Sequence, residues 1–475
     1  MPSSSSVAYM SVAELAHLLQ NGSISPVELV QASLNRIEQL EPTLNAFLDV
    51  WDESAMNAAQ VAEKEISAGN YKGPLHGIPV GLKDLVDYAG TPTTGGSKVL
   101  AGNIAEFDAT VVTKLRDSGA IFMGKLNLVE FAFGTTGLNA HTGDVKNPWD
   151  TKRITAGSSS GSAAAVAAGM IPVALGTDTG GSVRMPASLC GIVGLKPTYG
   201  RVSRTGVLDL SWSMDHVGPM TRTTEDCALL MNVMSGYDPR DPASSNEQVP
   251  DFSSDLSKGL EGIRIGVPVD YFFEDYVDYE VKMSVRKSIQ LMVANGAEIV
   301  ELAMPWVGKA RPINFGVILP ESVSIHEKMI SEHPDLYTPG IRSRIQSGFN
   351  VSAIDYVRAL RARQWFNHQM AESMKQVDVL ITPSVPIQAP TIAECTPSPG
   401  IPGKGTELPM FTGVFDVTGQ PSHSIPCGFT KGGMPIGMMI TGHPFDESTV
   451  LRVGHAYEQL TNWHQRSPTD IPTPN

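Results

Sequence analysis

Three short stretches of this chain hold residues that could do nucleophilic chemistry together. The first is Gly157-Ser158-Ser159-Ser160-Gly161-Ser162, followed directly by an alanine-rich run over 163–168. Alanine is the best helix former and has a very small side chain. The serines therefore sit at the N-terminus of a tightly packed helix, where free N–H groups and the positive dipole end favour developing negative charge. The second is Gly176-Thr177-Asp178-Thr179-Gly180-Gly181-Ser182, where an apolar strand ends in a turn with two glycines ahead of a serine. Glycines reach backbone shapes closed to other residues and let a ligand come close. The successive N–H groups of Thr179, Gly180, Gly181 and Ser182 can then converge on one point, as an oxyanion hole requires. The third is Lys83, which ends the apolar run Pro79-Val80-Gly81-Leu82 and precedes Asp84. Partial burial there disfavours the ammonium and suits the amine to general-base work.

Taken singly, each stretch has a plainer reading. A Ser/Gly tract is usually a linker, Gly-Gly-Ser a turn, and a lysine after apolar residues a snorkelling surface side chain. Against the linker, this tract runs straight into an alanine helix and a buried strand. Two motif matches fail on context. Gly157-Ser158-Ser159-Ser160-Gly161 fits G-x-S-x-G, with Ser159 as nucleophile, but that motif follows a strand, and 147–153 reads as loop. Residues 119–125 fit most of a phosphate loop, but Leu126 replaces the hydroxyl that would hold Mg2+, and the interior reads as a buried strand.

The elements that must position these residues follow from periodicity. Ser11 with Glu14, and Ser25-Pro26-Val27-Glu28, are capping boxes that open a helical N-terminal layer of about 65 residues. Short apolar runs at 78–82, 120–123, 171–175, 191–195, 263–267, 377–381 and 436–440 read as buried strands, with helices such as 109–116 and 281–294 between them. That alternation predicts an α/β fold: an α/β/α sandwich with a large mixed, mostly parallel central sheet covered by helices. The whole chain, 1–475, is expected to be one domain, with an N-terminal helical layer (1–70), a catalytic core (71–240), a variable helical elaboration (241–377) and a C-terminal part of the core (378–475). The Pro/Gly-rich stretch 395–409 reads as a loop.

With 41% hydrophobic and 18% charged residues, the 475-residue chain can bury a large core. Its net charge of −14 argues against nucleic acid or an anionic membrane as the main partner. The N-terminus has no secretory pattern, and the longest small-and-apolar run, 163–175, is too short to span a bilayer. Cys190, Cys227, Cys395 and Cys427 form no C-x-x-C pair, and no histidine cluster has metal-ligand spacing. A cytoplasmic protein with reduced thiols, no metal and no cofactor is expected, and a homodimer is left open.

Together these stretches resemble the amidase signature family. The Ser/Gly tract, the alanine helix, LGTDTGGSVR and CGIVGLKPT follow its pattern in order and spacing, and GIPVGLKD, VKNPWD, GRVSRTG, MDHVGPMTRT, TGQPSHSIPCGF and MPIGMMITGHPFDESTVLRVGHAYE extend the match. The resemblance implies a catalytic triad of Lys83, Ser158 after a cis peptide bond, and nucleophilic Ser182, with oxyanion-hole amides on Thr179, Gly180, Gly181 and Ser182. Asp178 and Arg184, with Ser159, fall on supporting positions. Departures are Ser160 and Ser162, where many members have glycine, and Met438, where glutamine is common. The segment 131–137 is implied near the site, making Phe131, Phe133 and Gly134 candidates for binding substrate, although the aromatics suit a core equally well. Met410, Phe411 and Met438 are weaker candidates. The implied activity is hydrolysis of the C–N bond of a small or medium organic amide, with anilides, esters and carbamates (urethanes) as related substrates. The alternative is the A subunit of a glutamyl-tRNA amidotransferase. VKNPWD and KPTYGRVSR favour that alternative, while 312–340 lacks its SSNLARFDG-like pattern.

Overall fold

The structure, a computed structural model, describes residues 7–396, 403–468 and 471. Both N-terminal helices form where the sequence caps them. Ser11 caps α1 (Val12–Gln20) and Ser25 caps α2 (Pro26–Leu44), and each serine exchanges hydrogen bonds with the glutamate three residues on. Such a box satisfies two donors that a helix end leaves open. The layer is not purely helical. β1 (Phe47–Val50) intervenes before α3 (Asp52–Ser67) and pairs antiparallel with residues 124–126 at the edge of the main sheet. Four residues are too few to display a strand period.

The remaining strands are β2 (Pro79–Lys83), β3 (Ile121–Leu126), β4 (Lys146–Asn147), β5 (Asp150–Ile154), β6 (Val173–Asp178), β7 (Val193–Lys196), β8 (His216–Thr221), β9 (Arg264–Pro268), β10 (Glu298–Leu302), β11 (Val379–Pro383), β12 (Ser422–Phe429) and β13 (Pro435–Gly442). Eleven of the thirteen strands form one sheet in the order β1-β3-β2-β6-β8-β7-β12-β13-β11-β9-β10, and all seven expected strand segments lie in it. β4 and β5 form a separate ribbon within the stretch read as loop. Their residues, Lys146 to Ile154, are mostly polar and carry no apolar alternation.

The sheet is mixed. Parallel pairing occupies two blocks, β3-β2-β6 and β11-β9-β10. The middle, from β6 through β8, β7, β12 and β13 to β11, is antiparallel. Parallel pairing is confined to those two blocks, and one connection of the antiparallel middle is too short for a parallel crossover. β12 and β13 are joined by a tight turn in which Thr430 N–H donates to Met434 O, a link that permits only antiparallel pairing.

Helices cover both faces: α4 (Thr110–Asp117), α5 (Ser160–Ala167), α6 (Arg184–Cys190), α7 (Thr224–Met234), α8 (Tyr279–Val293), α9 (Ala310–Glu332), α10 (Pro339–Gly348), α11 (Ala353–Met374), α12 (Ile392–Cys395), α13 (Pro409–Thr418) and α14 (Glu447–Gln459). Strand alternation divides the core between the faces. Val173 and Leu175 of β6 join one buried cluster, with α7, α8 and α14, while Ala174 joins the other, with α2, α3 and α5. Within 395–409, α12 ends at Cys395 and α13 begins at Pro409, while 397–402 lies outside the described residues. The stretch 241–377 contributes β9 and β10 to the same sheet.

Every residue of α5 is buried. Its small side chains let it approach Ala46, just before β1, and Asn127, just after β3, closely. A Cβ at Gly161 would lie 2.2 Å from Ala46 O and 2.6 Å from Asn127 N, so a larger residue would push the helix off the sheet. Ser160 and Ser162, the departures from glycine, are accommodated by donating to Asn127 O and Leu175 O.

Candidate active site

Lys83 ends β2, and Thr177 and Asp178 end the parallel neighbour β6. Their register, Leu82 opposite Leu175, brings the carboxyl ends of the two strands side by side. Lys83 is fully buried at 0% exposure. Its Nζ donates to Ser158 Oγ at 2.7 Å, Ser159 Oγ at 2.9 Å and Thr177 Oγ1 at 2.7 Å. All three partners are hydroxyls, which can also donate to a neutral amine. Burial pushes the Lys83 pKa down to about 7, against the opposing charges of Asp178 and Asp215. Near neutrality a large fraction of this amine can therefore accept a proton.

Ser158 follows a cis peptide bond, Gly157–Ser158. Its loop is pinned on three sides: Gly157 N–H donates to Thr135 O, Val129 N–H to Ser158 O, and Ser159 N–H to Ser182 O at 3.3 Å. The last contact seats the serine tract against the turn that carries Ser182. Ser158 and Ser159 are fully buried, whereas Ser182 is 6% exposed and Gly180 is partly open. Solvent thus reaches this cluster from the Gly180–Ser182 side.

The turn is built around Asp178. Oδ1 accepts Gly181 N–H at 2.6 Å, and Oδ2 accepts the N–H groups of Val183 at 3.0 Å and Arg184 at 3.3 Å. The guanidinium of Arg184 grips the same carboxylate through Nε at 3.0 Å and Nη2 at 2.9 Å, and reaches Asp416 Oδ2 at 2.7 Å. Burial opposes ionisation of Asp178, but Arg184 holds its carboxyl well below the usual carboxylate range. Asp416 is pushed up to about 8 by burial and by the negative charge of Asp178.

From the other side α13 clamps the turn, with Thr412 Oγ1 donating to Gly180 O at 2.7 Å and Arg184 Nη1 donating to Thr412 O. Gly181 has φ +128°, and a Cβ there would lie 2.1 Å from Thr412 Oγ1. Of the four expected oxyanion donors, Gly181 N–H is thus taken by Asp178. Those of Gly180 and Ser182 have no partner among the described residues.

The residues expected to line a substrate pocket are distributed differently. Phe131 (4% exposed) and Phe133 (6%) pack in a buried cluster with Met214, Val317 and Tyr337. Phe131 meets His326 edge-on at 4.4 Å, and Arg344 covers the Phe133 ring at 5.4 Å and donates to Phe133 O. Gly134 is partly open. Phe411 sits in an aromatic core with Tyr271 and Phe272, and Met438 is buried inside the sheet. Both side chains are fully buried, turned into the core by the helix and strand that carry them. Met410 is partly buried at the same core.

Four contributors are not among the site residues that the sequence singles out, although Asp215 lies in the MDHVGPMTRT stretch of the resemblance. Thr412 and Asp416 come from α13, more than 200 positions away from the turn that they brace. Asp215 binds Thr179 Oγ1 at 2.6 Å. Asn314 of α9 lies beside Gly413, which itself adjoins Gly180 O.

Known proteins share this chain's pattern from end to end. The family model described as Amidase matches residues 28–451. An amidase of Pseudomonas putida is 43% identical over 98% of both chains. The A subunit of the glutamyl-tRNA(Gln) amidotransferase of Chloroflexus aggregans is 39% identical over 97% of this chain and 98% of its own. A solved structure, described as a vestigial protein complex revealing the evolutionary origins of an s-triazine catabolic enzyme, superposes with a TM-score of 0.90 at 33% identity, covering 95% of this chain and 98% of its own. The chain belongs to the amidase family, the amidase signature enzymes. It is accordingly a hydrolase-type enzyme acting on C–N bonds. No helix among the described residues is long and apolar enough to cross a membrane.

Proposed function

We propose that this enzyme hydrolyses small or medium organic amides through an acyl-enzyme on Ser182, with Ser158 and Lys83 as proton carriers. The observation that carries the proposal is the buried Lys83, held by Ser158, Ser159 and Thr177 hydroxyls and, among the described residues, by no carboxylate. Neutral Lys83 takes the proton of Ser158, Ser158 takes that of Ser182, and Ser182 Oγ attacks the carbonyl carbon. Negative charge on the carbonyl oxygen falls to the N–H groups of Gly180 and Ser182, while Asp178 and Arg184 keep the turn in shape. The proton returns through Ser158 to the leaving nitrogen, which departs as an amine. Water then opens the acyl-enzyme by the reverse relay. Anilides, esters and carbamates expel a group from a carbonyl carbon in the same way, so they belong to the same substrate panel.

With Phe131 and Phe133 buried and Gly134 partly open, the two aromatics act on substrate choice through packing. The second reading, a component of an amidotransferase, is favoured by the 39% identity to such a component over nearly the whole chain. Assay of the purified chain alone separates the two. Turnover of simple aliphatic, aryl and carbamate substrates without a partner chain supports the hydrolase, and turnover only upon adding a partner supports the amidotransferase.

A further inference from the structure

Asp215 lies just before β8, whose residue His216 pairs with Asp178. It is 8% exposed. Its Oδ1 accepts Thr179 Oγ1 at 2.6 Å, and its Oδ2 accepts the N–H groups of Leu210 at 2.8 Å and Ser211 at 2.9 Å. No Lys, Arg or His among the described residues forms an ion pair with it. Asp215 and Thr179 line a small cavity together with Thr177, the hydroxyl partner of Lys83, and with Arg204, Asp209 and His216.

We infer that Asp215 is a positioning residue: it holds the Thr179 end of the turn that carries Ser182, and its buried charge, across the cavity that it shares with the Lys83 partner Thr177, governs how readily Lys83 releases its proton. This rests on the proposed role of Lys83 as base. Burial, with the charge of Asp209, pushes Asp215 up to about 7, against the hydrogen bond from Thr179. Lys83 is brought down to about 7, so the two groups titrate over the same range. The other charged groups facing Asp215 are Arg204 and Asp209 from the loop before it, His216 beside it, and Glu321 of α9, which Ser211 Oγ contacts. Arg204 is committed to Asp241.

An ionised Asp215 favours the Lys83 ammonium, so removing its charge leaves Lys83 neutral at lower pH. Asp215→Asn keeps an oxygen for the two amides and can donate its NH2 to Thr179 Oγ1. The acid limb of its kcat/KM profile is expected to move down by about 1 pH unit. Thr179→Val removes the hydrogen bond and keeps the carboxyl, so kcat falls through the loosened turn; because that hydrogen bond favours ionised Asp215, the acid limb moves down by less than in Asp215→Asn. Asp209→Asn eases ionisation of Asp215 and shifts the limb upward. It also decides the matter if Asp215→Asn fails to fold.

An Asp215→Asn acid limb that coincides with the parent profile or moves up overturns the inference, as does an Asp209→Asn limb that stays or moves down. Fluorophosphonate labelling of each variant keeps the two proposals apart. A Lys83→Ala variant that keeps both its activity and the same acid limb would sink the proposed role of Lys83, whereas a labelled, folded Asp215→Asn with an unmoved limb sinks only the role of Asp215.

Discussion

Lys83 Nζ lies 2.7 Å from Ser158 Oγ, and its hydrogen bonds all go to hydroxyls. A buried lysine normally finds a carboxylate, because an unpaired ammonium in a low-dielectric site is costly. Asp178, at the end of the adjacent strand β6, is instead occupied by Arg184. The arrangement withholds the partner that would fix the charge and leaves the amine free to exchange protons.

The pH dependence follows from that geometry. Burial depresses the Lys83 pKa to about 7, so the working, neutral form is present above that pH and is lost as pH falls through it. A profile of kcat/KM against pH is expected to fall on the acid side near 7. Lys83→Ala should lower kcat by roughly 1,000-fold or more, on the scale of losing a unit of a catalytic triad. Lys83→Arg should not restore it, since a guanidinium stays protonated.

Arg184 is a matter of stability first. Its guanidinium is fully buried between Asp178 and Asp416. Arg184→Met would leave Asp178 buried without its counter-charge, which costs about 3–5 kcal/mol. Thermal melting should show a drop of several degrees, together with loss of activity. A variant with unchanged Tm would mean that the pair does not brace the turn.

Gly181 tests the turn itself. Gly181→Ala places a methyl 2.1 Å from Thr412 Oγ1 at a φ of +128° that side chains avoid. The turn must shift, and with it the N–H groups of Gly180 and Ser182. Steady-state kinetics should show kcat down by about 100-fold or more, as when an oxyanion donor is removed, with a smaller change in KM. Gly181→Ala/Thr412→Ala should recover only part of the loss, because the backbone conformation stays unfavourable.

Most of the candidate site is legible in the sequence because it is local. Ser158 and Ser182 lie at the ends of one continuous stretch of strand, turn and alanine helix, and Lys83 ends an apolar run whose burial the sequence declares. The strands that carry them are apolar on both faces and stand out for that reason. The features without a sequence signal are either short or distant. β1 has four residues, and β4 and β5 are polar. Thr412 and Asp416 reach the turn only through the packing of α13, and Asp215 only through the pairing of β8 with β6. Phe411 reads as a pocket candidate because an aromatic near a site and an aromatic in a core have the same local pattern; the contact with Tyr271 and Phe272 decides between them.

The most direct test of Ser182 as nucleophile is to treat the purified enzyme with a fluorophosphonate and locate the adduct by mass spectrometry, with Ser182→Ala alongside. One adduct is expected, on Ser182, together with a Ser182→Ala variant that melts like the parent, takes up no label and turns over no amide. An adduct on Ser158 or Ser159, or near-normal activity in Ser182→Ala, would contradict that role.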